Sequence, residues 1–299
     1  MSRGRLKVQV YAGGELVPPL QVFDAVSQNT VQMGHAAAHY WAGKVPAAQF
    51  MSAMPFGMTA KGMNAWLYLG GGLELWRELY KPFNLIPFPA GNTGVQMGGW
   101  FNKKIETVDD LKGLKMRLPG LGAKVLAKAG VTPILLAGGE IYTALERGTI
   151  DATEWAAPFH DKRFGLHRVA KYYYYPGWHE PGTVLELIIN RQAWADLPED
   201  LQKIIEVAAR SINQWIYAEF EALNIKALRE IKAQGRVEVL PFPSEVLKEL
   251  KRLTVETLDE KAAKEASFKK VYEAYKKFQA DHAAWNAISD NAYSKALQP

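Results

Sequence analysis

An α/β protein of two lobes is the fold class this sequence predicts, and three observations carry the expectation. The 299 residues suggest two domains, or one large one, at ~150 residues per domain. Strand-like alternation takes turns with helical apolar spacing along the chain, the pattern of α/β folds with largely parallel pairing. Finally, Pro198 to Ala233 reads as one amphipathic helix. At ~1.5 Å per residue it would run roughly 50 Å, longer than one small domain needs, which suits an element bridging two lobes.

The elements follow in order. Leu6 to Tyr11 alternates as a strand does, the pair Gly13-Gly14 makes a turn, and Leu16 to Ser27 has helical spacing. After the short apolar run Thr30 to Met33, the chain stays rich in Gly, Ala and aromatic residues through Phe56 and Gly57, a composition suited to lining or covering a cleft. Met63 to Tyr80 is helical with an interruption at Gly70-Gly71-Gly72, Leu85 to Phe88 is a short strand, and Gly94 to Asn102 is extended. A second unit of the same kind begins at Thr107-Val108-Asp109-Asp110-Leu111, which resembles a helix N-terminus. It continues with a strand at Leu114 to Leu118, a helix at Gly122 to Ala129, a strand at Pro133 to Leu136 and a helix at Gly139 to Arg147. Ile150-Asp151-Ala152 enters a strand that ends at Glu154-Trp155, and Lys171 to Tyr175 and Val184 to Asn190 are further strands. Beyond the bridging helix come a brief strand, Val237 to Leu240, and Lys/Glu-rich helices.

Composition removes several classes of function. With 48% hydrophobic and 22% charged residues, the chain has the make-up of a globular protein rather than a disordered one. Its net charge of +5 is not concentrated: Lys and Arg interleave with Glu in Lys248 to Lys264, a solvated helix face, which argues against nucleic acid. The absence of cysteine excludes disulfides, thiolate catalysis and thiolate metal sites. No run approaches ~20 apolar residues, and MSRGRLKVQVY follows its basic residues with alternation, so neither a membrane span nor a signal peptide is visible.

Motifs for turnover are also missing. The sequence contains no GxSxG, no GxxxxGK[ST] and no full GxGxxG. His35 and His39 have the i,i+4 spacing of helical metal ligands but lack the Glu of an HExxH site, and close packing explains the small residues between them equally well. Arg117 stands at a strand end before Gly120-Leu121-Gly122, which opens a helix. A guanidinium there suits a carboxylate anion, and a surface salt bridge is the plainer alternative. In Asp151-Ala-Thr-Glu154-Trp155 and Pro176-Gly177-Trp178-His179-Glu180-Pro181, a glutamate sits near Trp where open α/β sheets place ligands. Two such carboxylates with a carbonyl or amide oxygen suit a hard cation, whereas taken singly each reads more readily as structural or as a surface charge. The run Tyr172 to Tyr175 is similarly divided between packing and function.

Taken together, GELVPPLQVFDAVSQNTVQMGHAAAHYWAGK, GNTGVQMGGWFNK, LKGLKMRLPGLGAKVLAKAG, GGEIYTALERGTIDATEWAAPF and VAKYYYYPGWHEPG resemble the periplasmic substrate-binding proteins of TRAP transporters. Within that family they are most similar to the branch that binds 2-oxo acids such as pyruvate, and the resemblance covers nearly the whole chain. It implies a two-lobed periplasmic binding protein fold, with lobe I formed by 1–93 and 184–235 and lobe II by 94–183 and 236–299 with the C-terminal helices. It also implies a ligand in the cleft, and binding rather than catalysis. Carried over by motif, Arg117 would pair with the substrate carboxylate, with Tyr40 and Asn92 as neutral hydrogen-bond partners. Gln96, Glu154, Trp155 through its backbone oxygen, and Glu180 would hold a cation, Na+ or alternatively Ca2+, that also meets the ligand. Phe56, Met58, Trp100 and Trp178 are candidates for shaping the pocket. TRAP membrane subunits are the implied partners, and Lys261 to Ala296 either exchanges in a homodimer or packs on its own lobe.

Relatives of this kind carry a signal peptide and then a first strand and helix before the segment matching MSRGRLKVQVY, so the first strand and helix of lobe I are expected to be missing. The competing readings are a metal-dependent enzyme acting on 2-oxo or 2-hydroxy acids through Glu154 and Glu180, a calcium-lactate-type binding protein of the same family, and a ligand-reporting partner of a sensor or another transporter.

Overall fold

The computed structural model describes residues 1–297. Its nine strands among the described residues are β1 (Met33–Ala36), β2 (Leu85–Asn92), β3 (Gly99–Phe101), β4 (Lys115–Arg117), β5 (Thr132–Ile134), β6 (Ala152–Thr153), β7 (Tyr172–Tyr175), β8 (Val184–Asn190) and β9 (Glu238–Pro241). They form two sheets, ordered β1-β8-β2 and β5-β4-β6-β3-β7-β9. Each sheet anchors one lobe, and the chain passes between lobes through residues 93–98 and again through 176–183.

Those two crossings explain where the expectation of largely parallel pairing fails. Strand β2 leaves the first lobe and β8 returns to it, so they pair antiparallel, and β1 pairs antiparallel with β8 on its other edge. Strand β3 enters the second lobe and β7 leaves it, so they too are antiparallel, with Trp100 opposite Tyr173. Parallel ladders remain at β4 with β5, β4 with β6, and β7 with β9, which place the carboxyl ends of β4 and β6 together at the cleft.

The segment Leu6 to Tyr11 is not a strand. Val8, Val10 and Tyr11 are exposed, because alternation alone supplies no neighbouring ladder for the backbone to pair with. The first helix is also shorter than expected: Pro19–Gln21 forms a 3-10 turn and the α-helix is Val22–Ser27. The glycine interruption holds, since Gly71 adopts φ of +86° between helices Ala60–Leu69 and Gly72–Tyr80, a conformation that glycine adopts readily.

The long helix Glu199–Ala233 spans both lobes through two asparagines. Asn213 accepts from the Gly91 backbone N–H at 3.2 Å in the first lobe, and Asn224 accepts from the Phe159 backbone N–H at 3.0 Å in the second. The first lobe's core is aromatic: Phe23, Trp41, Phe50, Trp66 and Tyr80 are fully or nearly fully buried. Helix Ala266–Ile288 packs into that core, with Phe268 4.8 Å from Phe50 and Tyr275 5.0 Å from Trp66 between ring centroids. The Tyr275 hydroxyl also accepts from the Met58 backbone N–H at 2.7 Å. This C-terminal helix thus sits on the first lobe, not on the second unit with which the sequence grouped it, because its aromatic face matches the first core. Helix Ser244–Lys264 stays with the second lobe, where Val246, Leu250 and Leu253 join Phe101, Met116 and Leu126.

One buried acid gives the fold a pH signature. Glu186 on β8 is fully enclosed and accepts from the Trp41 indole N–H and, at 2.9 Å, from the Tyr80 hydroxyl. Burial pushes its carboxyl up to about 7 although both donors pull it down. A raised carboxyl keeps its proton in the native state while the unfolded chain releases it, so this contribution to stability falls as pH rises from about 4.5 to about 7. The loss is of order 3 kcal/mol. Denaturant unfolding at pH 5 and pH 8 should show a smaller loss in Glu186→Gln than in the parent protein; equal losses would contradict the assignment.

Candidate functional site

Between the lobes lies a cavity of about 370 Å³. Tyr40, Gln96, Arg117, Glu154, Trp155 and Glu180 line it, so the structure brings together six of the seven residues singled out in the sequence. Arg117 ends β4 and Glu154 follows β6, and the parallel register of Arg117 opposite Thr153 sets the two side chains next to each other. The Glu154 backbone N–H also donates to the Arg117 carbonyl at 3.2 Å.

Gln96 and Glu180 come from the two crossings. The Gln96 N–H donates to the Glu180 carbonyl at 3.2 Å, and the Gly177 N–H donates to the Gln96 carbonyl at 2.9 Å. A Cβ at position 177 would stand 2.3 Å from that carbonyl oxygen, so glycine is what lets the crossings approach and the two side chains meet. Tyr40 reaches in from the first lobe, on the 3-10 turn Ala38–Trp41 after β1.

Arg117, Glu154, Gln96 and Glu180 are all at least 95% buried. Arg117 forms an ion pair with Glu154 and donates to the Tyr40 hydroxyl at 3.1 Å, a bond from one lobe to the other. Its guanidinium also lies over the Trp155 ring, 5.4 Å from the centroid. Burial opposes the charged guanidinium, but Glu154, Tyr40 and Glu180 outweigh it and hold Arg117 above its ordinary value. The Tyr40 hydroxyl is raised by burial, with Arg117 pulling the other way. Glu180 accepts from Gln96 at 2.9 Å and from the Thr183 hydroxyl at 2.6 Å.

His39 and His179 complete the polar shell. His39 Nδ1 is 3.5 Å from Glu180, and His179 Nε2 is 3.7 Å from Glu154. Burial lowers the His39 value, helped by Arg117 and His179 and opposed by Glu180, so His39 brings no positive charge at neutral pH. Two buried glutamates thus share the site with a single guanidinium, an arrangement that a cation beside the carboxylates would stabilise. The donor set fits one: single ligand atoms of Glu154, His179 and Glu180 lie within 4.8 Å of one another. Gln96 Oε1 is buried with no hydrogen-bond partner among the described residues. Carboxylate and amide oxygens are the ligands of hard cations.

Three expectations need correction. Asn92 does not line the cavity: its Oδ1 accepts from the Gly94 N–H at 2.8 Å and its Nδ2 donates to the Gly182 carbonyl at 3.4 Å. The amide holds the first crossing's turn. His35 and His39 are not neighbours on a helix, since His35 is on β1 and His39 in the turn beyond it. Phe56, Met58, Trp100 and Trp178 do not shape the pocket; Met58 packs in the first lobe's core, and Phe56 and Trp178 pair at 5.6 Å in the second. Trp100 is buried in a third cluster beside Tyr173. The apolar wall is instead Leu185, Ile216 and Phe220, two of them on the bridging helix, where no local motif marks them. Thr183 and His179 were findable, since both flank Glu180 in PGWHEPGT.

Two lobes joined by paired crossings, with a cavity between them whose polar groups suit an anion beside a cation, define a two-lobed solute-binding protein. The chain belongs to the DctP family, bacterial extracellular solute-binding protein, family 7, whose family model matches residues 1–293. It is a TRAP-type solute-binding protein, a family of transport components rather than enzymes. A monocarboxylate 2-oxoacid-binding periplasmic protein of Nostoc is 46% identical over 293 residues, 98% of this chain and 80% of that protein. The TRAP solute-binding protein of Pseudoalteromonas atlantica, solved with bound sodium and pyruvate, superposes with a TM-score of 0.96 at 43% identity, covering 99% of this chain and 90% of that one. The Colwellia psychrerythraea protein, solved with calcium and pyruvate, gives 0.96 at 42% identity, with coverage of 99% and 90%. That of Bordetella bronchiseptica, a dimer with copurified calcium and picolinate, gives 0.97 at 41% identity, with coverage of 99% and 88%. Among the described residues, no helix is long and apolar enough to cross a membrane.

Proposed function

We propose that this chain captures a small 2-oxo monocarboxylate of the pyruvate kind together with Na+ or Ca2+ in the periplasm, and delivers it to the membrane subunits of a TRAP transporter. The observation that carries the reading is the buried Arg117 set against two buried glutamates, Glu154 and Glu180. Binding exchanges partners: the ligand carboxylate takes the Arg117 guanidinium and Tyr40 hydroxyl, while Glu154 turns to the cation with Glu180, Gln96 and the Trp155 backbone oxygen. The guanidinium offsets the ligand carboxylate, and Ca2+ offsets both glutamates whereas Na+ offsets one of them. Relatives that hold pyruvate with sodium or with calcium support both the ligand and the choice of ions.

Tyr40 and His39 belong to the first lobe and Arg117 and Glu154 to the second, so a ligand gripped by both sides favours the closed arrangement over the open one by its differential affinity. Assembly into a homodimer through the C-terminal helix is part of the proposal, supported by the exposed Trp285 and Ile288 at its end and by the dimeric Bordetella relative.

An apparent Ser-His-Glu array does not support hydrolysis. Ser52 Oγ and Glu180 both face the same nitrogen, His39 Nδ1, and the Ser52 hydroxyl donates to the Val184 carbonyl at 3.1 Å, so no proton relay runs through the ring. Incubation of 13C-labelled pyruvate with the protein and the cation should return the ligand unchanged by NMR, with line broadening while bound. New product resonances, or no broadening, would overturn the reading.

A further inference from the structure

Asp161 lies on helix Pro158–Arg163, is buried, and does not line the cavity. Its Oδ1 accepts from the Ala156 backbone N–H at 3.0 Å. Its Oδ2 accepts from the Trp100 indole N–H at 2.8 Å and from the Tyr173 hydroxyl at 2.7 Å. Those two rings stack at 3.8 Å between centroids across the register of β3 and β7. Ala156 in turn accepts at its carbonyl from the Met97 N–H at 2.9 Å.

One carboxylate therefore ties together the three segments that carry the site. Ala156 immediately follows Glu154-Trp155, Trp100 is on the strand that follows Gln96, and Tyr173 is on the strand that leads to Glu180. All three partners are neutral donors, and only an acceptor with two oxygens serves them at once.

We propose that Asp161 is a positioning residue of the cation site, fixing the Glu154–Ala157 segment against the strands that bring Gln96 and Glu180. The inference rests on the cation reading above, because the oxygen it would aim is the Trp155 backbone carbonyl, adjacent in the chain to the Ala156 N–H that Asp161 holds. A backbone ligand cannot be re-aimed by a rotamer change, so its placement depends on what fixes the peptide on either side. Glu154 and Trp155 line the cavity, whereas Asp161 supports them from behind.

The test is Asp161→Asn, which keeps the shape but turns one acceptor into a donor facing donors. The substitution keeps the side chain's volume and its carbonyl acceptor, so the unfolding temperature of the ligand-free variant should stay near the parent's. The cation concentration giving half-maximal pyruvate binding should rise about 10- to 100-fold, and pyruvate affinity should recover at saturating cation. Tyr173→Phe, which removes one donor and no charge, should shift the cation midpoint in the same direction by less, and it carries the test if the Asn variant fails to fold. An unchanged midpoint, or a loss of affinity that saturating cation leaves in place, would overturn the proposal.

Amide hydrogen exchange of the ligand-free protein separates this inference from the functional reading. Exchange across Glu154–Ala157 should quicken in Asp161→Asn while the first lobe's core stays as protected as before. Unchanged exchange there overturns the positioning role, whatever the protein binds. Absent pyruvate binding by the parent protein, with faster exchange in the variant, would instead overturn the functional reading alone.

Discussion

Arg117→Ala is expected to lower pyruvate affinity by about two to four orders of magnitude, the 3–5 kcal/mol typical of deleting one member of a buried charge pair. Two losses combine in that number. The ligand carboxylate loses its only guanidinium among the described cavity residues, and the buried glutamates lose the positive neighbour that flanks them when the anion enters. Arg117→Lys should recover part of the affinity, because an ammonium restores the charge but not the fork that serves a carboxylate and Tyr40 together. Calorimetry on variants checked for native circular dichroism reads the effect directly. Affinity of Arg117→Ala within threefold of the parent would remove Arg117 from the site.

Glu180→Gln should weaken pyruvate binding by a smaller but still large factor, about 5- to 150-fold, the range of typical coupling free energies between two bound ligands. The substitution keeps the shape of the side chain. It removes a negative charge that the cation would meet and replaces an acceptor for Gln96 and Thr183 with a group that satisfies only part of their bonding. Because coupling is reciprocal, the variant should also lose the ability of pyruvate to tighten cation binding. A calorimetric titration of cation with and without pyruvate shows this. Equal enhancement of cation binding in parent and variant would contradict the role given to Glu180.

Much of the site was legible because its key residues stand at the ends of short strands or in glycine turns, where sequence patterns are strongest. Arg117 and Glu154 belong to that group: KMRLPG and DATEW each end a strand, and adjacent parallel strands end on the same side of the sheet. The meeting of Gln96 with Glu180 was not derivable from spacing, since 84 residues separate them and only the two chain crossings bring them together. The resemblance to a known family supplied that pairing. Asn92 misled because a short amide in GNTG serves a turn as readily as a ligand, and here the turn uses both of its polar atoms.

The same logic applies to the fold. Alternation at Leu6 to Tyr11 is real in the sequence, yet a strand exists only where a partner strand lies beside it. The antiparallel first sheet could not be read from strand and helix alternation, because it follows from the chain leaving and re-entering that lobe. Likewise the aromatic face of Ala266–Ile288 shows that the helix packs against something, but not which lobe receives it.

The most direct test of joint capture is native mass spectrometry of the dialysed protein, re-exposed to pyruvate with and without Na+ or Ca2+. The expected result is one adduct per chain whose mass equals one pyruvate plus one cation, appearing together and nearly absent when either is omitted. Pyruvate bound to the same extent without the cation, or no adduct with both present, would contradict the account.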